Sequence, residues 1–454
     1  MKLLYTLIFS VLLNIGYSQS SVNQYFEKIR NNEAALTAFF SQMPKGGDLH
    51  HHYSGSIYAE PLLEDAISAD FYLNTATMEV LKEKPLNGNW ELFSTLNSRG
   101  ELNMYKQKIM EKWSVKDYNH VDYPSDKLFF ESFGKFSPAI VGNFGQGLLE
   151  LKNRAITENV NYIETQLSTI PSNINTEDLT DFNTKLRALA MQRDAAVYAE
   201  DFNTNFVAKL HNDLKIDNDR FTMRYQNFVL RFMEPVDLFK NLVVAFISAD
   251  TSPLMAGVNI VSPEDGETAM KDYWLHMVMF KYCHSQFPTV KYSMHAGELT
   301  LGLVQPEDLT WHIRDAVYTA GAYRIGHGVD MAYEEKSYDL LKYMAKNNIA
   351  IEINLVSNEF ILKVKDGRHP ITLYKEFGVP IVISTDDAGI LRTNMTEQYV
   401  LLAKRYKQVS YVNIKQYVYN SIYYSFIKDE QLKKQLISDL DLRFKTFEAN
   451  FPSN

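Results

Sequence analysis

The segment MPKGGDLHHHYSGS, from Met43 to Ser56, places imidazoles at alternating positions at the end of a predicted strand. If Asp48–His52 is extended, successive side chains point to opposite faces, so His50 and His52 share one face and His51 lies on the other. Two imidazoles on one face at this separation can bind the same metal ion. Three adjacent histidines also occur in solvated loops, so the interpretation depends on the rest of the chain.

Short apolar segments alternate with longer helical patterns through the rest of the sequence. Besides Asp48–His52, the predicted strands are Tyr162–Gln166, Phe228–Phe232, Val258–Val261, Lys291–His295, Arg324–Gly326, Ile349–Ile353 and Ile381–Ser384, eight in all. Strands that alternate with helices pair in parallel, and eight such units form a closed (β/α)₈ barrel of the TIM type. The active site of such a barrel lies at the carboxyl ends of the strands. Every motif of this sequence that indicates chemistry lies at such a strand end.

The first residues are typical of a secretory signal: Met1 and Lys2 precede an apolar run, Leu3–Ile15, which is followed by small and polar residues. We predict that residues 1–18 are a signal peptide and that the mature protein is exported, either to the periplasm or out of the cell. The apolar run is shorter than the roughly 20 residues that a membrane span needs. No membrane association is expected after removal of the signal.

The remaining chain divides into an N-terminal helical extension, residues 19–42, and a barrel, residues 43–454. We predict one amphipathic helix, Val22–Phe40, in the extension. A polar, helical insertion is expected at about residues 57–123, after the first strand. The only cysteine, Cys283, excludes an intrachain disulfide, so an exported chain of this size depends on a large core. The net charge of −9 argues against a nucleic-acid or anionic membrane partner.

Three later motifs end predicted strands with polar groups. YSMHAGE contains His295 and a small-residue turn that brings Glu298 back over the strand end. In RIGHGVD, glycines on both sides leave the imidazole of His327 uncovered. ISTDDAG ends in Asp386 and Asp387, which face opposite ways and therefore have different tasks. Four of the 11 histidines fall at predicted ends of strands one, five and six, which indicates a nitrogen-rich site suited to Zn²⁺.

These four patterns, in this order, resemble the adenosine deaminase family of metal-dependent hydrolases. The family carries His-x-His after strand one, His-Ala-Gly-Glu after strand five, Gly-His-Gly after strand six and Asp-Asp after strand eight. The resemblance runs from about Met43 to Phe426, and Phe129–Ile140 is similar to the family's helix before strand two. The leading MPKGG and the helix before it resemble the secreted, growth-factor-type branch.

The resemblance implies one Zn²⁺ per chain, with four ligands: His50, His52, His295 and Asp386. It implies that Glu298 is the general acid that protonates purine N1, and that His327 holds and deprotonates the water on the zinc. Asp386 is then catalytic as well as a ligand, and Asp387 is expected to accept a hydrogen bond at the N7 side. Zinc lowers the pKa of its water towards ~7, and protonation of N1 makes C6 open to attack.

The chain departs from the family on the sugar side of the predicted site. Ser54 stands where typical intracellular members have an aspartate that contacts the ribose 5′-hydroxyl. Ser262 stands where the family has a glycine whose amide meets purine N3. We therefore predict both serines as substrate-binding residues. His51 is an additional imidazole that alternation directs away from the metal.

The resemblance thus implies an exported zinc-dependent deaminase that converts adenosine or 2′-deoxyadenosine to inosine or 2′-deoxyinosine and ammonia. One alternative is a deaminase of another adenine compound: AMP, adenine or a modified nucleoside. AMP would require fixed cations, and no basic cluster accompanies the motifs. A catalytically weak nucleoside-binding or signalling protein is the alternative from a different class, although no ligand or acid of the pattern is missing. The predicted partner is a small purine nucleoside, and the sequence does not decide whether the chain forms a homodimer.

Overall fold

The computed structural model describes residues 21–121, 123–174 and 185–451. The predicted signal peptide, residues 1–18, lies outside the described residues, so it stays a prediction. No helix within the described part of the chain is long and apolar enough to span a bilayer.

Strands and helices alternate through most of the described chain. In chain order the strands are β1 Gly46–His52, β2 Tyr72–Asn74, β3 Val80–Leu81, β4 Trp90–Leu92, β5 Val160–Ser168, β6 Thr222–Leu230, β7 Met255–Val261, β8 Lys291–Ala296, β9 Arg324–His327, β10 Ala350–Ile353 and β11 Ile381–Ile383. The first ten helices are α1 21–29, α2 Glu33–Gln42, α3 Tyr53–Ser56, α4 Ala59–Ser68, α5 Phe93–Ser98, α6 Leu102–Trp113, α7 Ser125–Gly142, α8 Phe144–Thr157, α9 Lys185–Asp201 and α10 Lys209–Asp213.

The helices of the C-terminal half are α11 Pro235–Thr251, α12 Glu267–Gln286, α13 His312–Asp315, α14 Ser337–Lys346, α15 Leu355–Leu362, α16 Ile371–Phe377, α17 Met395–Arg405, α18 Tyr411–Tyr423 and α19 Glu430–Glu448. Short 3₁₀ turns lie at Pro306–Leu309 and Asp366–Arg368, and π-helical segments lie at Phe202–Ala208 and Ala316–Ala320. Cys283 is buried as a free thiol in α12.

Eight parallel strands form the barrel, in the order β1, β5, β6, β7, β8, β9, β10, β11. These are the eight predicted strands, with bounds that differ by a few residues. The ring closes through backbone contacts just after β11: the Asp386 N–H donates to the His50 carbonyl at 2.9 Å, and the His52 N–H donates to the Asp386 carbonyl at 3.4 Å. Closure therefore places an aspartate and two histidines of the predicted site against each other.

The strands are buried because helices cover the outer face of the sheet and side chains fill its interior. In β7, the sequence MAGVNIV is buried at every position, and β9, β10 and β11 are buried throughout as well. A strand buried on both faces has no polar face, so it appears in the sequence as a short, nearly continuous apolar run. One predicted strand end differs: β6 stops at Leu230, and Phe232 lies beyond it with 60% of its surface exposed.

The insertion between β1 and β5 contains the predicted helices and, in addition, a small sheet. Strands β2, β3 and β4 pair antiparallel in the order β3, β2, β4. They are only two or three residues long, too short to show a period of two in the sequence. The buried Trp113 side chain joins this sheet to α6, because its indole N–H donates to the Met78 carbonyl at 2.8 Å.

The N-terminal extension forms two helices rather than the single predicted one. The chain turns at residues 30–32, and the Asn32 side chain accepts a hydrogen bond from the Ala35 N–H at 3.0 Å, which caps α2. The buried Arg30 guanidinium donates to the carbonyls of Ala403 and Val409 at 3.1 and 3.0 Å. These contacts bind the extension to the last turn of α17 and to the segment that follows it, so the extension packs on the barrel's C-terminal helices.

A buried ionic network lies inside the barrel, below the predicted site. The Arg324 guanidinium donates to Glu352 at 2.5 Å and to Glu164 at 2.6 Å, and it lies 3.6 Å from the centre of the Phe426 ring. Burial raises the pKa of Glu352, but the Arg324 charge and a hydrogen bond from His50 outweigh it and hold this pKa at about 2. Both partners of the Arg324–Glu352 pair are therefore charged at neutral pH.

Arg324→Met is expected to lower the free energy of unfolding by about 3–5 kcal/mol, because it leaves two buried carboxylates without their cation. Urea unfolding followed by tryptophan fluorescence measures this. Arg314→Met is the matched control, since the Arg314 side chain is 33% exposed and pairs with Asp315 at the surface. The control should lose less than about 1 kcal/mol. An equally small loss in Arg324→Met would contradict the role of the network.

Candidate metal centre

The carboxyl ends of four strands bring the predicted site residues together. β1 supplies His50 and His52, β8 ends at His295 and Ala296, and β9 ends at His327. Glu298 follows β8, and both aspartates follow β11. Segments far apart in the sequence thus converge because parallel strands all end at the same face of the barrel.

Four distances between the donor atoms of the predicted ligands are those expected around one ion. The Nε2 atom of His52 lies 3.4 Å from Nε2 of His50 and 3.2 Å from Nε2 of His295. Oδ1 of Asp386 lies 3.3 Å from His52 Nε2 and 3.6 Å from His50 Nε2. Ligands at the ~2.0–2.1 Å bond lengths of zinc are roughly 3.3 Å apart in a tetrahedral arrangement. The spacing of these donors fits a metal of that size.

Hydrogen bonds on the far side of two rings fix where the imidazole protons lie. His50 Nδ1 lies 2.8 Å from Oε2 of Glu352, which is ionised and can only accept. His295 Nδ1 lies 3.0 Å from Oδ1 of Asn259, and this oxygen also accepts from the Ile260 N–H at 2.8 Å. Both rings therefore carry their proton on Nδ1 and direct the Nε2 lone pair into the centre. Lone pairs at this distance repel each other unless a cation lies between them.

Glu298 is held in place by a buried carboxylate that follows β7. Glu264 accepts hydrogen bonds from the N–H groups of Gly297 and Glu298 at 3.1 and 2.8 Å, and from His312 Nδ1 at 2.5 Å. Gly297 has a φ of 73°, and a Cβ there would lie 2.3 Å from the Asp330 carboxylate, so the turn requires glycine. Burial, and then the negative charges of Asp386 and Glu264, raise the pKa of Glu298 well above its usual value. This environment therefore favours the protonated form of the carboxyl group.

The pKa values of the two adjacent aspartates are shifted in opposite directions. Burial raises the pKa of Asp386, but the interactions with His52, His50 and His327 outweigh it and hold the pKa well below its usual range. Burial, followed by the charge of Asp386, raises the pKa of Asp387 well above its usual value. Asp386 has a φ of 62° in the left-handed region, a strained conformation that surrounding structure must hold. The two carboxyl groups can thus perform different tasks.

His327 faces this centre from the end of β9. Its Nε2 atom lies 3.8 Å from Oδ2 of Asp386, and its Nδ1 atom lies 3.5 Å from Oε1 of Glu298. Burial lowers the pKa of His327 to about 3, so the ring is neutral. Its φ of 67° is also left-handed, and Gly328 follows with a φ of 54°. The sharp turn directs the imidazole to the centre instead of along the strand.

A cavity of about 580 Å³ opens from the donor cluster. Its polar lining comprises His52, Ser54, Ser137, Ser262, His295, Glu298, His327, Asp386 and Asp387, and its apolar lining comprises Phe129, Phe130, Phe133, Phe228, Leu230, Phe232, Val261 and Pro263. Both predicted substrate-binding serines thus line the cavity. No lysine or arginine of the described chain lines it. Aromatic walls around a few polar groups are typical of a site for a small planar molecule.

His51 lies away from the donor cluster, on the side predicted by strand alternation. It is 2% exposed, and its Nδ1 atom lies 2.9 Å from the Thr165 hydroxyl. Burial, and then the charge of Arg154, lower its pKa well below the usual value. A neutral, hydrogen-bonded ring on the helix side of β1 packs the barrel and takes no part in the cavity.

The groups that orient the site residues were not predicted from the sequence. These are Asn259, Glu264, Glu352 and Asn358. A signal was present for two of them: Asn259 lies within the apolar run GVNIV and Glu352 within AIEI. A polar residue inside a strand that is otherwise apolar must have a buried partner, which marks it as a candidate for supporting a site.

Comparison with known proteins gives consistent family matches. The adenosine deaminase family matches residues 232–442, the segment that follows β6. Adenosine deaminase 2 of Dictyostelium discoideum is 24% identical over 404 residues, which cover 82% of this chain and 67% of that protein. Adenosine deaminase of Clostridium perfringens is 29% identical over 147 residues, 32% of this chain and 41% of that enzyme. The aligned part is thus under half of the bacterial relative's length.

Solved structures share the fold. An adenine deaminase from Arthrobacter aurescens aligns with a TM-score of 0.55 and 16% identity, over 88% of this chain and 99% of that chain. The N6-methyl-AMP deaminase of Arabidopsis thaliana aligns with a TM-score of 0.57 and 18% identity, over 89% of this chain and 98% of that one. At these identities the likeness concerns the fold alone.

Proposed function

Since this chain belongs to the adenosine deaminase family of hydrolases, we propose that it hydrolyses the 6-amino group of adenosine and 2′-deoxyadenosine with one bound Zn²⁺. The products are inosine or 2′-deoxyinosine and ammonia. The observation that carries the proposal is the convergence of three imidazole nitrogens and one carboxylate oxygen beside the buried carboxyl group of Glu298, whose pKa is raised. The predicted signal at residues 1–18 extends the proposal to an exported enzyme.

The ion would be held by four side chains: His50, His52, His295 and Asp386. This donor set suits zinc, because it combines imidazoles with one carboxylate and leaves a further position open. A zinc ion bound there would supply a Lewis acid that activates water near neutral pH. Glu352 and Asn259 keep two of the rings in the tautomer that binds metal, and such partners raise affinity.

The proton that the purine ring needs would come from Glu298. Attack at C6 disrupts the aromatic ring and so has a high activation free energy. Protonation of N1 lowers this free energy, because the protonated nitrogen accepts the electrons that attack pushes into the ring. Glu298 is suited to the step because burial raises its pKa, and because Glu264 fixes its backbone. One proton of the attacking water would then pass to the leaving amine, which departs as ammonia, and the other would restore the acid form of Glu298.

On the other side of the purine, Asp387 would recognise N7. The sequence predicts that Asp387 accepts a hydrogen bond there, but N7 of adenine carries a lone pair and no proton. The raised pKa favours the protonated form of Asp387, whose hydroxyl can donate to N7. Gly55 lies against this carboxyl group, since a Cβ at Gly55 would fall 1.7 Å from its Oδ1 atom.

The lining of the cavity favours a neutral nucleoside over a nucleotide. A phosphate requires a cation or several aligned N–H groups, and no lysine or arginine of the described residues lines the cavity. Arg392 follows the Asp-Asp pair but donates to both Glu60 oxygens, at 2.8 and 3.2 Å, outside the lining. The known activities of the structural relatives make adenine and N6-methyl-AMP the competing substrates to test.

A screen of purified, metal-loaded protein tests the function directly. Adenosine, 2′-deoxyadenosine, adenine, AMP and N6-methyl-AMP are each incubated with the enzyme, and released ammonia or methylamine is measured. We expect the two neutral nucleosides to have the highest kcat/KM, because the cavity offers no charge for a phosphate. A higher kcat/KM for either nucleotide would contradict the proposed substrate class, and release from none of the five would contradict the proposed activity.

Elemental analysis of two variants tests the ligand set. His295→Ala should lose the metal and the activity together, because it removes one coordinating nitrogen and leaves an incomplete site. His284→Ala is the control, since this part-buried imidazole in α12 lies near the Val290 carbonyl, outside the lining of the cavity. Wild type and control should each contain one zinc per chain. Full metal content in His295→Ala would refute the assignment.

Glu298→Gln separates acid catalysis from metal binding. The amide keeps the shape of the side chain but cannot give N1 a proton, so kcat should fall by about 10²–10⁴-fold or more. Metal content and the free energy of unfolding should stay at wild-type values, since Glu298 is not proposed as a ligand. Glu335→Gln, at a surface carboxylate that pairs with Arg314, should retain full turnover. More than about a tenth of wild-type turnover in Glu298→Gln would exclude the general-acid role.

A further inference from the structure

The ring of His327 accepts a hydrogen bond on the side turned away from the donor cluster. Its Nδ1 atom lies 2.9 Å from Nδ2 of Asn358, a fully buried residue of α15. An amide nitrogen only donates, whereas an amide oxygen only accepts. Asn354 Nδ2 and Glu298 Oε1 lie farther from Nδ1, both at 3.5 Å, so its protonation depends on which end of the Asn358 amide faces it.

A backbone group settles the orientation of that amide. The Ile371 N–H, at the first residue of α16, donates to His369 Nδ1 at 3.2 Å. A backbone N–H cannot accept, so His369 Nδ1 carries the lone pair and its proton lies on Nε2. Burial, and then the charge of Arg405, lower the pKa of His369 to about 3, so this ring has a single proton.

The chain of donors continues from His369 to the site. His369 Nε2 lies 3.0 Å from the Asn358 side-chain oxygen and donates to it. The Asn358 amino group then faces His327 Nδ1, which must accept. Because Nδ1 accepts, the proton of the His327 ring lies on Nε2, the atom turned towards Oδ2 of Asp386 at 3.8 Å.

We infer that Asn358 and His369 are positioning residues that hold His327 in the Nε2–H tautomer, through a relay that begins at the backbone N–H of Ile371. The catalytic consequence rests on the proposed function. In this tautomer Nε2 of His327 can donate a hydrogen bond to the attacking water but cannot take its proton, so the deprotonating role that the resemblance implied for His327 is wrong. The acceptor of the water proton would then be Oδ2 of Asp386, which lies 3.8 Å from His327 Nε2.

The same helix also fixes the position of the ring. The Tyr374 hydroxyl in α16 donates to the Gly328 carbonyl at 2.7 Å, one residue after His327. A Cβ at Gly328 would lie 2.3 Å from that hydroxyl oxygen, so the contact requires glycine. Thus α16 controls the backbone turn through Tyr374 and the proton position through Ile371. A single helix, α16, therefore fixes both the position of the His327 ring and which of its nitrogens carries the proton.

Nitrogen-15 NMR of metal-loaded wild-type protein at neutral pH tests the tautomer without measuring activity. The signals of His327 are assigned by their absence in His327→Gln. We expect Nε2 to be protonated and Nδ1 to be unprotonated. A protonated Nδ1 with an unprotonated Nε2 would overturn the inference, whatever reaction the enzyme catalyses.

Asn358→Asp reverses the relay. A carboxylate at this position accepts from both rings, so His327 must place its proton on Nδ1 and present a lone pair to Asp386. We expect the NMR signals to show a protonated Nδ1 and an unprotonated Nε2 in His327, the reverse of wild type. Turnover should fall by about 10²-fold or more, since the wrong tautomer of a catalytic imidazole costs up to ~10⁴-fold. KM should change by less than about threefold, because the substrate contacts remain.

Asn420→Asp is the matched control for a buried amide replaced by an acid. Asn420 is 6% exposed, and its amide donates to the Ile381 carbonyl at 2.8 Å, at the opposite end of β11 from Asp386. Asn420→Asp should keep the kcat of wild type even where it lowers stability. Unchanged kcat in folded Asn358→Asp, or an equal loss of kcat in Asn420→Asp, would overturn the inference.

Two substitutions of His369 separate the relay from simple packing. His369→Gln can place an amide donor near the position of Nε2 and should restore the Nε2–H signal and most of the turnover. His369→Ala leaves the Asn358 amide free to rotate and should populate both tautomers. Equal kcat in the two variants would contradict the relay. Nε2–H in a wild-type protein inactive on every purine would refute the proposed function but leave the tautomer intact.

Discussion

The direction of the imidazole lone pairs is the constraint on which the rest of this structure depends. His50 and His295 each donate from Nδ1 to a buried oxygen, on Glu352 and Asn259, so both Nε2 atoms present lone pairs to one small volume. Asp386 adds an ionised carboxylate beside them. Concentrated negative potential of this kind, in a buried place, is stable only with a cation. The side chains are thus preorganised to bind a metal ion.

An ionic network in the barrel interior supports this arrangement and also stabilises the fold. Arg324 keeps Glu352 ionised and aimed at His50, and it simultaneously pairs with Glu164. The closure of the barrel has a similar double role, since the backbone of Asp386 bonds to β1 at the position of the histidines. Stability and chemistry therefore share the same residues, and a mutation in the interior affects both.

Much of the fold and of the site could be predicted because the signals are local. Eight apolar runs separated by helical patterns predict the barrel, and histidines at strand ends predict the donor cluster. The break in the first helix at residues 30–32 and the two- and three-residue strands β2 to β4 leave no periodic signal. The partners of the site histidines were also missed, since Glu352 lies 302 residues from His50 and only the closed barrel brings them together. Such pairs depend on three-dimensional packing that a single sequence does not reveal.

Anomalous diffraction at the zinc absorption edge, from crystals of protein purified without added metal, tests the central claim most directly. We predict one anomalous-difference peak per chain, at ~2.0–2.3 Å from four atoms. These are Nε2 of His50, His52 and His295, and a carboxylate oxygen of Asp386. A peak bound elsewhere, a second peak of equal occupancy beside the first, or no peak in protein that deaminates adenosine would contradict it.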